Sequence, residues 1–129
     1  MKLPIIIACI LLTGALAAQE SDIVAEGAVP QKVGSGYSFT EGPAVAKDGS
    51  VYFTDQPNDR IHHWDEQEGI TLWLEGTERS NGLYFNANND LVACADEHNR
   101  IILFENRDKR KVLLEDYEGK HLNGPNDLW

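Results

Sequence analysis

The chain has 129 residues, 42% of them hydrophobic, and 21 acidic side chains against 11 basic ones give a formal net charge of −10 at pH 7. So negative a surface argues against nucleic acid and anionic lipid as partners, because both need a basic face. The acids are scattered rather than blocked, so most read as solvating charge, although the balance also suits cation binding.

The first segment has the pattern of a leader. Lys2 gives a positive start, and residues 3–16 are mostly apolar. That stretch is shorter than the about 20 residues a membrane span needs. Ala15-Leu16-Ala17 is a small-x-small cleavage signal. Residues 1–18 are therefore expected to be a secretory signal peptide cut after Ala17 or Ala18, with an uncleaved anchor as the alternative. Such a product is exported, periplasmic or secreted, and has no stable membrane partner after cleavage. Cys9 leaves with the leader, so Cys94 has no intrachain disulfide partner. Within its apolar run, 91–95, it reads as a small core residue.

Residues 19–36 are a polar, small-residue lead. From residue 37 onward the chain repeats itself. "EGPAVAKDGSVYFTDQPNDRIHHWD", from Glu41, aligns without a gap on "NGLYFNANNDLVACADEHNRIILFE", from Asn81. Gly42 meets Gly82, and Asp59-Arg60-Ile61 meets Asn99-Arg100-Ile101. The first copy predicts strands over 43–46, 50–54, 60–64 and 70–74, with turns at Lys47-Asp48-Gly49 and at 56–59. The second predicts strands over 83–85, 91–94, 100–104 and 111–114. A third copy opens at Asn126-Asp127-Leu128-Trp129. Outside the leader no segment has a helical period.

Four short strands per unit of about 40 residues is the pattern of a β-propeller blade. One blade buries neither face alone, and a ring closes with roughly 4–8 of them. Residues 37–129 hold two blades and the start of a third. The expected fold is thus all-β, an incomplete propeller, and the chain reads as an N-terminal fragment whose partner is the missing set of C-terminal blades. The innermost strand of each blade lines the central channel. Glu41, Asn81 and Asn126, equivalent by the repeat, should converge there. Their spacings are 40 and then 45 residues, and the extra five are expected in the polar region 106–119. A carboxylate with amides makes a hard-oxygen site of the kind Ca²⁺ takes, and no Cys/His spacing points to zinc. Asn81-Gly82 and Asn123-Gly124 also read as turns, since Asn tolerates positive φ. Glu41 is harder to read that way, because an acid entering a channel strand is costly unless paired.

"FTEGPAVAKDGSVYFTD", "PNDRIHHWD", "SNGLYFNANNDLVACADEHNRI" and "LNGPNDLW" closely resemble the SMP-30/gluconolactonase/luciferin-regenerating family, gluconolactonases in particular, over 39–129. The resemblance implies a six-bladed propeller with one divalent cation in the channel, Ca²⁺ by preference, with Zn²⁺, Mg²⁺ or Mn²⁺ as alternatives. It implies hydrolysis of a sugar lactone, a small-molecule substrate, to the aldonic acid. By motif, Glu41 in "EGP" matches the first metal ligand. Asn126 in "PND" matches an asparagine facing metal and substrate. Asn81, Asn123 and, by its nearness in sequence, His121 are candidate substrate contacts at the same mouth. The remaining ligands, an Asn and an Asp that is also the proposed general base, are implied in later blades beyond Trp129. No catalytic residue is therefore expected within these 129 residues, and the chain alone is expected to be inactive.

Other residues read as structural. His62 and His63 point to opposite faces of one strand. Trp64 and Trp73 read as packing, Asp55 and Asp96 as holding turns, and His98 and His121 as loop residues. Arg107 to Lys111 reads as a hairpin tip. The alternatives to a lactonase are a non-catalytic propeller that binds a ligand on its rim and a truncated product without a function of its own.

Overall fold

Alternation of apolar and polar residues, broken at Asp48-Gly49 and Asn88-Asn89, folds each repeat into a meander. The computed structural model describes residues 23–129; the expected leader lies outside them. Residues 23–31 form a unit of their own, without strands.

From Lys32 onward the first blade is β1 (Thr40–Val45), β2 (Val51–Asp55), β3 (Arg60–Asp65) and β4 (Gly69–Glu75). The second is β5 (Ser80–Phe85), β6 (Leu91–Ala95), β7 (Arg100–Asn106) and β8 (Lys109–Leu114). Each is an antiparallel sheet in the order of the chain. Their registers repeat: Thr40 faces Asp55 as Ser80 faces Ala95, and Val45 faces Val51 as Phe85 faces Leu91. Among the described residues the fold is all-β and propeller-type, with two complete blades.

The blades share a core. Ala44 and Ile61 from the first meet Leu83, Leu91, Ala93, Ala95, Ile102 and Phe104 from the second. Burying a side chain such as Ile61 (0% exposed) or Phe104 (1%) contributes ~2 kcal/mol each. Tyr52 meets Phe85 and Trp73 edge-on at 5.0 and 5.4 Å, and Trp73 meets Phe104 at 5.6 Å. Trp73 is thus part of the junction. His63 packs on Tyr52 and His62 stacks on Phe53, on opposite faces of β3. Burial pulls the His62 pKa down, which fits a neutral ring whose Nε2 has no hydrogen-bond partner.

Some expectations are corrected or refined. His98 belongs to a 3₁₀ turn (96–98), and His121 to a strand, where loops were expected. The five additional residues fall mainly in a small hairpin, β9 (Asp116–Tyr117) with β10 (Lys120–His121), that lies between β8 and the third inner segment. Two-residue strands are too short to show a period. Residues 122–129 form no strand, since nothing among the described residues pairs with them.

Candidate functional site

Two glycines show how the inner segments meet. Gly42 has φ +58°, and a Cβ there would lie 2.0 Å from the carbonyl oxygen of Asn81. A Cβ on Gly82 would lie 2.3 Å from the carbonyl oxygen of Asn126. Residues 41–42, 81–82 and 126–127 therefore abut in succession, backbone to backbone. Beside them opens a cavity of about 520 Å³, whose lining includes Glu41, Pro43, Tyr84, Asn126 and Asp127. Glu41 and Asn126 thus line the same cavity although they stand 85 positions apart in the sequence. Asn81 stands behind it, 5% exposed, and its Oδ1 accepts from the N–H of Gly82 at 2.7 Å. Asn123 and His121 are exposed and do not line the cavity.

Asp127 lines it too, a carboxylate that sequence reading missed. Its neighbour Asn126 drew attention through the repeat, whereas position 127 aligns with Gly42 and Gly82 and so carries no repeated signal.

The entry to β1 is fixed by Asp55, at the end of β2 and 2% exposed. Its Oδ1 accepts from the N–H groups of Ser38 and Phe39, both at 3.0 Å, and its Oδ2 from the Asn58 amide at 2.8 Å. Burial works against the charge, but the donors from Phe39, Asn58 and Ser38 outweigh it and hold the carboxyl below its ordinary value. A depressed pKa stabilises the fold above the unfolded value, and the contribution is lost as pH falls through the folded one. Asp55→Ala should therefore destabilise by ~3 kcal/mol at neutral pH, since hydrogen bonds to a charged group are lost. The gap to the unsubstituted protein should close below the ordinary value of 3.8. Urea unfolding of both across pH checks this; a gap independent of pH would refute it.

The crossover into β5 is held in a similar way. Asp59, at φ +55°, accepts through Oδ1 from the N–H and hydroxyl of Thr77 and the N–H of Arg79, at 2.8, 3.0 and 2.7 Å. Glu78 and Arg79 also have positive φ, at 59° and 51°. That strain is offset locally. The Glu78 carboxylate accepts two hydrogen bonds of 2.7 Å from Arg100, and its carbonyl accepts from Glu97 at 3.1 Å. Asn99, the repeat partner of Asp59, accepts from Gly124 N–H at 2.9 Å in the next crossover. Corresponding corners of the two blades thus aim the segments that carry Asn81 and Asn126.

Cys94 is fully buried. Burial first, then the Asp127 and Glu41 carboxylates, pushes its pKa up to about 11. It is a protonated core thiol, not a nucleophile. Glu41, Asn126 and Asp127 offer oxygen donors only, the type hard divalent cations take. Among the described residues, no three His, Cys, Asp or Glu side chains gather closely enough to hold a metal ion. The donors thus fit a hard cation in kind, and supply one side of its shell. A second cleft, about 540 Å³, lies at the opposite, hairpin end by Asp48, His63, Trp64 and Asp65. Its Asp48 and Asp65 already accept from nearby residues of their own turns.

Four-stranded antiparallel sheets whose first strands abut beside a common cavity define a β-propeller with its candidate site at the inner strands. Residues 39–129 match the family described as SMP-30/Gluconolactonase/LRE-like region. The chain belongs to that family. It is 26% identical over 113 residues to a gluconolactonase of Zymomonas mobilis subsp. mobilis, a match that covers 75% of this chain and 32% of that protein. A gluconolactonase structure from Xanthomonas campestris superposes with a TM-score of 0.67 at 28% identity, over 70% of this chain and 31% of the other. Virginiamycin B lyase from Staphylococcus aureus shares the fold, with a TM-score of 0.56 at 16% identity over 70% and 30% of the two chains. The chain spans about a third of the length of these relatives.

Proposed function

We propose that this chain provides the first blades of an exported, metal-dependent lactonase that opens a sugar lactone to its aldonic acid. The observation that carries the reading is the meeting of Glu41 and Asn126 at one cavity. The family and the gluconolactonase relatives support the substrate class. The leader pattern in residues 1–18 supports export.

In this reading the Glu41 carboxylate and the Asn126 amide oxygen hold a divalent cation, Ca²⁺ by preference. When bound, it supplies Lewis-acid polarisation of the lactone carbonyl. Glu41 fixes charge at the mouth and does not shuttle protons. Asn126 stands where it orients the lactone as well. Asn81 acts through its backbone, which packs on Gly42, more than through its self-engaged side chain. Asn123 and His121 lie outside the cavity and are assigned at most a role in approach. Asp127 adds a further carboxylate at the cavity, and the remaining ligands and the general base are expected from later blades, without which this chain should not turn over the lactone.

The test uses protein from the complete reading frame and follows acid release from glucono-1,5-lactone with and without chelator. Turnover abolished by chelator and restored by Ca²⁺ is expected. Ligand binding without turnover would replace the lactonase by a binding propeller.

A further inference from the structure

We propose that Thr54 is a positioning residue that sets the spacing of the Glu41 and Asn81 strands beneath the cavity. The inference rests on the metal-site reading above. Thr54 is fully buried at the end of β2. Its Oγ1 lies 3.0 Å from the carbonyl oxygen of Glu41, in its own blade, and 3.2 Å from that of Asn81, in the next. The hydroxyl has one proton to donate and two acceptors within reach. It therefore bridges the two residues at the head of adjacent inner strands.

The location explains the need. The β1–β2 ladder loses register between Glu41 and Ala44, and the β5–β6 ladder between Ser80 and Leu83. At such bulges regular ladder bonds lapse. A side-chain donor then has to hold the carbonyls, and across the junction Gly42 already brings the strands as close as backbone allows. Cys94 is the repeat counterpart of Thr54, forty residues on. A thiol is a weak donor, so the first junction, which carries Glu41, is the one fastened by a strong hydrogen bond. Side chains that hold metal ligands in place change metal affinity 10–100-fold when lost.

The test is a terbium luminescence titration of protein from the complete reading frame, with thermal melts alongside. Thr54→Val keeps the shape and removes the donor. Terbium binding about tenfold weaker is expected, with Thr54→Ser restoring it. Ile61→Val, which thins the core of the same blade, should lower Tm without moving the titration. Thr54→Cys copies the residue of the second blade and should fold, giving a measurable intermediate affinity even if the valine variant does not. A Thr54→Val or Thr54→Cys affinity equal to that of the unsubstituted protein, with Tm lowered as in Ile61→Val, overturns the positioning role. Absence of saturable terbium binding in the unsubstituted protein overturns the metal reading itself, and with it any role of Thr54 toward a metal.

Discussion

Replacing Gly42 with alanine should destabilise the junction between the first two blades by ~3 kcal/mol. Two effects add. The new methyl would sit 2.0 Å from the Asn81 carbonyl oxygen and 2.9 Å from Gly82 Cα, all backbone that no rotamer relieves; overpacking of this kind costs about 1–3 kcal/mol. The left-handed backbone at φ +58° costs an L-residue about 1–2 kcal/mol more. Gly49 provides the internal comparison. Its φ is +90°, and a Cβ there meets nothing within 4 Å, so Gly49→Ala should register backbone strain alone. Urea unfolding of the two variants separates the effects, and equal losses would show that the strands do not approach as closely as described. Asn81 and Glu41 flank this contact, so on the metal reading proposed above Gly42→Ala should also weaken metal binding.

Glu41→Gln should have the largest effect on the site and almost none on the fold. The substitution keeps shape and removes one negative charge. Glu41's structural ties run through its backbone, the carbonyl to Thr54 and the ladder to β2, and these stay intact. Stability should change by no more than about 0.5 kcal/mol, the usual range for a substitution away from the core. On the metal reading proposed above, metal affinity of protein from the complete reading frame should fall by more than about 100-fold, beyond the 10–100-fold loss that follows when a residue supporting a ligand is removed. Equilibrium titration of metal into both proteins decides the matter: equal affinities would remove Glu41 from the ligand set, and a collapsed fold would make it a structural acid.

Much of the scaffold was legible because each blade obeys the same local rules. Asp48-Gly49 closes β1–β2. The strand ends at Asp59-Arg60 and Asn99-Arg100 recur at one spacing, and both corners adopt the left-handed conformation that Asp and Asn tolerate. The shared position of Glu41 and Asn126 followed from that period. Contacts across blades were not legible. Nothing in "YFTD" distinguishes the bridging Thr54 from an ordinary strand threonine. The need for glycine comes from neighbours in the next inner segment, Asn81 for Gly42 and Asn126 for Gly82. Sequence proximity placed His121 at the mouth and the LNG motif placed Asn123 there, but the β9–β10 hairpin and the turn after it carry both away from the cavity lining.

The outermost strands carry a different implication. Among the described residues β4 and β8 each pair on one side only, and a free sheet edge is a template for adding a foreign strand. β8 opens with Lys109-Arg110-Lys111, charges that discourage such addition. β4 reads Gly-Ile-Thr-Leu-Trp-Leu-Glu and holds no charge before its final residue. Self-association of this protein should therefore begin at the rim of the first blade, where Ile70, Leu72, Trp73 and Leu74 stand along a strand with no charge before Glu75.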